Sequence, residues 1–288
     1  MVLDPSSHTL YLATGRGDID LFDVRSCNAG THTRCHAVRS IPLSRPVNGL
    51  VLDPATRTLY AAVGSDASGA VAVVDASACS AKTVKSCDGA VRTVPVKGSP
   101  DAMAVDDSTH TLYVRVTDDS LASTVDVLGT ARCNGFDDVA CAVLASVPVG
   151  QGWTLPAPDG MALDPLTGTL YVTSYSDDRL NLLDASRCNA DDRSGCAVAP
   201  ESAAAGTAPI AVTVDPGRGR VFVVSYGDST VRMADAAHCR SGDASGCARG
   251  GPALPVDALP DAATVVPSTG TVYVGTSLGK TVVIVDVG

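Results

Sequence analysis

Short apolar runs alternate with polar turns along the whole chain, and the alternation repeats about every fifty residues. HTLYLAT at Tyr11 recurs as TRTLYAAV at Tyr60, HTLYVRV at Tyr113, GTLYVTS at Tyr171, GRVFVVS at Phe222 and GTVYVGT at Tyr273. These aromatic positions lie 49, 53, 58, 51 and 51 residues apart. Ahead of each comes a short apolar strand closed by an Asp-Pro or Asp-Asp turn, as in AMAVD (102–106), GMALD (160–164) and AVTVD (211–215). Behind each come a polar loop and a third strand, whose closing acid is read as Asp23, Asp75, Asp126, Asp184, Asp235 or Asp286. A cysteine-flanked loop then leads to a fourth strand ending in Pro-Val, as in ASVPVG (145–150).

Four short β-segments per repeat, separated by turn signals, predict a four-stranded antiparallel blade. Six copies predict an all-β, six-bladed β-propeller forming one domain over 1–288, with repeats near 1–46, 47–99, 100–157, 158–208, 209–259 and 260–288. A helical solenoid would show a 3.6-residue apolar period, and a β-helix would have shorter coils. The last repeat stops after its third strand, so either the final blade has three strands or the natural protein continues beyond one end. An apolar strand left at a sheet edge is a template for pairing. Residues 281–287 are therefore expected to pair with additional sequence or with a neighbouring molecule.

Composition narrows the class. Of 31 acidic residues only Glu201 is a glutamate, and aspartate favours turns and strand ends where glutamate favours helices. Net charge is −10 with no basic stripe, which argues against nucleic acid as a partner. No stretch approaches the roughly 18–20 apolar residues of a membrane helix, so membrane insertion is not expected. The start shows no charged, apolar, then small-residue leader, and the chain reads as a mature or excised domain.

Ten cysteines form five pairs, each eight positions apart: Cys27/Cys35, Cys79/Cys87, Cys133/Cys141, Cys188/Cys196 and Cys239/Cys247. Each pair falls between the third and fourth strands, where an outer hairpin brings such residues within disulfide reach. Two thiolates at each of five separate places do not complete a zinc shell. Only the first pair has histidines nearby, His32 and His36. Five intra-blade disulfides imply an oxidising, extracytoplasmic location, secreted or at the cell surface.

The segments TLYVTSYSDDRLNLLDAS (169–186), FVVSYGDSTVRMADAA (222–237) and TVYVGTSLGKTVVIVDV (271–287) resemble the YVTN-type propeller repeats of bacterial and archaeal secreted and surface proteins. The resemblance spans essentially the whole chain and implies the propeller fold. It is nearly silent on activity, because such propellers include surface-layer modules, lactonase-like enzymes, cofactor-bearing oxidoreductases and plain binding scaffolds. Lactonase-like members hold their metal partly through glutamate, and here the sole glutamate, Glu201, is read as lying in an Ala-rich loop.

Two sets of loops should share the ligand-bearing face: those entering each first strand, and those joining second to third strands. The first set repeats Pro-Asp, at Asp101, Asp159 and Asp261, with Asn48 and Ile210 at the related places. Three such carboxylates around a channel mouth would suit a hard cation such as Ca2+; the same Pro-Asp is also ordinary turn chemistry. The second set offers Arg115, Tyr175 and Tyr226, and the long loop 150–158 carries the only tryptophan, Trp153, suited to stacking or to plugging the ring. The doublets Asp118-Asp119, Asp137-Asp138, Asp177-Asp178 and Asp191-Asp192 are read as solvated loop tips.

No catalytic constellation is visible. The five histidines (His8, His32, His36, His110, His238) fall in the other turns and the cysteine loops, and no haem-attachment or glycine-rich phosphate motif is present. The leading expectation is a binding or interaction module for a protein, glycan or small-molecule ligand, with no cofactor assigned. A metal-assisted lactonase- or lyase-like enzyme using Asp101, Asp159 and Asp261 is the alternative, with Arg115 or Tyr175 orienting substrate. A structural unit of a longer surface protein is the third.

Overall fold

A run such as TLYAAV, apolar at successive positions, belongs in a strand buried on both faces. The second strands of blades two, three and four meet that expectation, with every residue buried. A computed structural model describes residues 1–65, 68–83, 87, 91–152, 160–247 and 253–286. Its sheets make the fold a six-bladed β-propeller, with five blades of four strands and a last one of three.

Blade one orders Val2–Asp4, Thr9–Ala13, Asp18–Asp23 and Arg39–Pro42; blade two Val47–Asp53, Thr58–Val63, Ala70–Asp75 and Val91–Pro95. Blade three orders Ser99–Asp106, Thr111–Thr117, Ala122–Gly129 and Val143–Gln151. Blade four orders Met161–Asp164, Thr169–Ser174, Arg179–Asp184 and Glu201–Ala204. Blade five orders Pro209–Asp215, Arg220–Ser225, Thr230–Asp235 and Leu254–Pro255. Blade six has Pro260–Val266, Thr271–Thr276 and Thr281–Val285. Among the described residues no helix is long and apolar enough to cross a membrane. The chain divides into two compact units, 1–119 with 126–145, and 120–125 with 146–288.

In the first unit, Tyr11, Ile19 and Leu21 of blade one pack on Leu59, Ala61, Ala72 and Val74 of blade two. Tyr60, Val71 and Val73 of blade two pack in turn on Leu112, Val114 and Val116 of blade three. In the second unit, Tyr171, Leu180 and Leu182 of blade four meet Val212, Val221 and Val223 of blade five. Phe222, Val224 and Val231 of blade five meet Val272, Val274 and Val285 of blade six. Each buried side chain of this kind contributes roughly 1.5–3 kcal/mol relative to leaving it exposed.

All five expected disulfides are formed. Cys27 is bonded to Cys35, Cys79 to Cys87, Cys133 to Cys141, Cys188 to Cys196 and Cys239 to Cys247, with Cα–Cα distances of 4.8, 4.7, 4.6, 4.7 and 4.6 Å. No thiolate is left beside His32 and His36 for a metal. The loops are not the regular hairpins expected, however. In blade one Cys27 pairs across the ladder with His32, not Cys35. Among the described residues no ladder sets Cys87, Cys196 or Cys247 opposite its bonded partner either. Tight turns bring the second cysteine back instead: the Cys196 N–H donates to Arg193 O and the Cys247 N–H to Ala244 O, each three residues earlier.

The role of these loops also reaches beyond their own blade. The Tyr11 hydroxyl donates to the Cys79 carbonyl at 2.8 Å, and Tyr60 donates to that of Cys133 at 2.5 Å. Tyr171 makes the same bond to Cys239 at 2.5 Å. Beside each, a threonine hydroxyl accepts a backbone N–H two residues past the cysteine: Thr9 from Ala81, Thr58 from Gly135, Thr169 from Ser241. Burial pushes these three tyrosine hydroxyls well up, so they stay protonated as donors. Each of these disulfide loops thus clasps the preceding blade. In blade five the tyrosine is replaced by Phe222, and blade six carries no cysteine pair in this sequence.

The aspartates closing the first strands cap the turns that follow. Asp4, Asp53, Asp106, Asp164 and Asp215 each accept a backbone N–H two or three residues on. Asp23, Asp75, Asp184 and Asp235 do the same after the third strands. Blade three departs from the expectation: four residues before its first cysteine, where the others have Asp, stands Gly129. Asp126 lies buried within the strand instead. Glu201 is likewise not in a loop; it opens the fourth strand of blade four, opposite Leu182.

Candidate functional site

A loop that enters a first strand must turn the chain from the rim of one blade into the middle of the next. Four blades do so through a register shift: at Asn48 in blade two, Asp101–Ala102 in blade three, Ile210 in blade five and Asp261 in blade six. Such bulges leave a residue unpaired and re-aim its side chain. The repeated Pro-Asp is therefore more than a turn signal, because Pro100 and Pro260 are the last residues in register before the shift.

In the first unit the bulge at Asp101 faces Arg115, which stands in the apolar second strand Thr111–Thr117. Arg115 donates from Nε to Asp101 Oδ1 at 2.9 Å and from Nη2 to Oδ2 at 2.6 Å. Asp101 Oδ1 also accepts the Ala102 N–H. Arg115 is 4% exposed and Asp101 5%, so this fork is a buried ion pair and not a surface ligand hook. The carboxylate already has a cation in the guanidinium. Alongside, Asn48 donates from Nδ2 to the carbonyls of Gly64 and Pro100, at 2.6 and 2.9 Å, joining blades two and three.

In the second unit, Tyr175 and Tyr226 open the turns after the second strands of blades four and five. Their ring centroids are 6.3 Å apart with planes inclined at 52°, and both rings are half-buried against the apolar cluster of blades five and six. Partial burial and the neighbouring Tyr226 push the Tyr175 hydroxyl upward. The turns and the blade-entering loops do share one face here. Tyr226 N–H donates to Ala208 O, Ser176 N–H to Gln151 O and Ser277 N–H to Leu259 O. Asp261 accepts a hydrogen bond from the Ser277 hydroxyl.

The doublet Asp177-Asp178 is exposed, as read, and is also tied down by hydrogen bonds. Asp177 Oδ2 accepts the Gln151 N–H at 2.7 Å and the Ser174 hydroxyl at 2.6 Å, while Asp178 Oδ1 accepts the Ala208 N–H at 2.8 Å. One turn is thereby sewn to the connections on both of its sides. Gly150, at φ +92°, is required for this, since a Cβ there would stand 2.4 Å from Asp177 Oδ2.

Trp153 and Asp159 lie outside the described residues. Arg115 and Asp101 are brought together, as are Tyr175 and Tyr226; Asp261 keeps separate company with Ser277. Among the described residues no group of three or more His, Cys, Asp or Glu side chains is placed to hold a metal ion. One feature escaped the sequence reading, a cavity of about 180 Å3 between the cysteine loops of blades four and five. Leu182, Arg187, Val198, Glu201 and Ser241 line it. The isolated glutamate was its only signal.

No protein-family model matches the chain, and no curated protein matches it. Solved structures do. Kuenenia stuttgartiensis hydrazine synthase superposes with a TM-score of 0.73 at 13% identity, covering 99% of this chain and 82% of that one. The β-propeller domain of Myceliophteria thermophila Cps50 (Swd1) gives 0.67 at 12% identity, over 99% and 81% of the two chains. Chaetomium thermophilum Sqt1 gives 0.66 at 14% identity, over 99% and 68%. Likeness at this identity speaks for the propeller fold alone.

Proposed function

We propose that the chain is an extracytoplasmic binding module of the YVTN-repeat kind, which recognises its ligand on the face built by the second-to-third-strand turns and the blade-entering loops. The observation that carries this reading is the Tyr175–Tyr226 pair, two half-buried rings from adjacent blades held side by side in turns anchored by backbone hydrogen bonds. A rigid aromatic pair suits a ligand with a flat apolar face and a polar rim, such as a sugar ring. The five disulfides support an oxidising compartment. A metal-assisted reaction at Asp101 would first have to displace Arg115 from its carboxylate, so the scaffold reading is the one we carry.

The test is a panel of immobilised oligosaccharides probed with the oxidised protein. A hit whose affinity falls at least tenfold in Tyr175→Ala and Tyr226→Ala supports the reading. Hits unaffected by both substitutions refute the aromatic face. A Tm raised several degrees by Ca2+ and lowered again by chelator would bring the metal-assisted reading forward.

A further inference from the structure

The fourth strands of blades two and four meet their third strands in one register. Val94 lies opposite Val71 and Ala203 opposite Leu180, each partner standing four residues before the closing aspartate. Two residues earlier in the fourth strand, Arg92 lies opposite Val73 and Glu201 opposite Leu182. Arg92 and Glu201 thus hold the same place in their blades with opposite charge.

In blade two that place carries a bridge to the next blade. Arg92 donates from Nη2 to the carbonyls of Asn134 and Gly135, at 3.0 and 2.6 Å, in the cysteine loop of blade three. In blade five Ser241 corresponds to Gly135: both lie two residues past the first cysteine, and both donate their N–H to the clasping threonine of the preceding blade. Glu201 cannot repeat the bridge, because a carboxylate and a carbonyl are both acceptors. The cavity of about 180 Å3 opens here, with Glu201 and Ser241 in its lining.

Arg187, on the cysteine loop of blade four, supplies the opposite charge, and Leu182 and Val198 supply apolar surface. Val198 is 61% exposed, an aliphatic side chain left in water. Among the described residues neither Arg187 nor Glu201 has an ion-pair or side-chain hydrogen-bond partner. The walls are fixed: the Cys188–Cys196 and Cys239–Cys247 bridges close the two loops, and Tyr171 ties the second loop to blade four. The volume equals about six waters at roughly 30 Å3 each, room for a small organic molecule.

We propose that this cavity binds a free α-amino acid with an aliphatic side chain, as its zwitterion. The ammonium group takes the part that the Arg92 guanidinium plays in blade two, donating to the Glu201 carboxylate and the Ser241 carbonyl. Arg187 holds the ligand carboxylate, and the aliphatic side chain covers Leu182 and Val198. Arg187 disfavours a bare cation and Glu201 a bare anion, so the two together select a ligand that carries both charges. The cavity lies at the opposite end of blade four from Tyr175, so the aromatic face and this site can each fail alone.

The experiment is calorimetric titration of the full oxidised chain with L-leucine. Saturable one-to-one binding is expected, with a Kd of roughly 1 mM or tighter, within reach of so small a ligand. N-acetyl-L-leucine, without the ammonium, and L-leucinamide, without the carboxylate, should each bind at least tenfold more weakly. Glu201→Gln should weaken L-leucine at least tenfold and leave N-acetyl-L-leucine unchanged. Arg187→Gln should weaken L-leucine as much and leave L-leucinamide unchanged. Both side chains are exposed, so both variants should keep the melting temperature of the parent. Glu201→Arg, which restores the bridge of blade two, should abolish binding without lowering that temperature. Absence of saturable binding of L-leucine at millimolar concentration overturns the proposal. So does binding that both glutamine variants leave intact, or that Tyr175→Ala abolishes, because the amino acid then sits elsewhere.

Discussion

Replacing Tyr60 by Phe removes one oxygen and nothing else from a ring packed between blades two and three. That oxygen donates to the Cys133 carbonyl, itself on a buried residue in the cysteine loop of the next blade. Two effects add: the bond itself, and the carbonyl left without this donor where water does not reach. Together they are expected to cost about 2 kcal/mol. A chain of this length has an unfolding entropy of roughly 0.6 kcal/mol/K, so the melting temperature should fall by about 3 °C. Thermal and urea unfolding followed by circular dichroism, disulfides intact, measure this directly. Tyr273→Phe, at the half-buried tyrosine of the same repeat position in blade six, is the control and should change stability by less than about 0.5 kcal/mol. Thr58→Val deletes the companion acceptor of the Gly135 N–H, and the pair of substitutions should prove non-additive because both hold one loop. If Tyr60→Phe costs no more than Tyr273→Phe, the clasp contributes nothing to holding blade two against blade three, and the reasoning fails.

Removing Cys133 and Cys141 together as alanines should cost about 2.5 kcal/mol from loop entropy; hydrogen exchange should then rise in the second strand of blade two, beyond the blade that loses the bridge. Asp101→Ala leaves Arg115 buried without this partner and should cost about 3 kcal/mol or more, read by urea unfolding. Gly219 sits at φ +60° with open space around its Cβ position, so Gly219→Ala isolates the left-handed backbone cost, about 1 kcal/mol; a neutral result would mean that the turn relaxes. In acid, Asp23 is held near 2 first by the hydrogen bond from Arg25, and Asp243 near 2 first by that from Ser245. Both lie below the ordinary value of 3.8, so their stabilisation is present above pH 4 and is lost as pH falls from 4 towards 2. Asp107 is raised, first by burial and then by Asp53 and Asp106, and works in the opposite sense. A pH series of melting temperatures should therefore decline below pH 4, less steeply in Asp23→Asn.

The blade count, the strand order and the disulfide pairing were legible in the chain because each is local. A fifty-residue repeat carries its own turns, and eight residues separate each bridge. The clasp was not legible as such, although both halves were: the signature tyrosine and the cysteine loop each stood out, but 68 or 73 residues lie between donor and acceptor. Asp126 was misplaced because it ends an apolar run, TVD. Counting four residues back from the first cysteine, as Asp23, Asp75, Asp184 and Asp235 allow, leads to Gly129. At the site, Asp101 and Arg115 were each visible, yet only the register shift between Pro100 and Met103 puts them opposite one another. The sewing role of Asp177 and Asp178 depends on Gln151 and Ala208, which no short-range pattern connects to them.

The clasp has a direction. In the interfaces between blades one and two, two and three, and four and five, the earlier blade gives the tyrosine and the later one the cysteine loop. Every repeat with both features is thus a plug and a socket in a single stretch of chain. A gene segment copied in tandem would deliver a module that already fits its parent on one side and its successor on the other. Growth of such a protein by duplication needs no new interface, whereas loss of one cysteine pair is felt by the blade upstream.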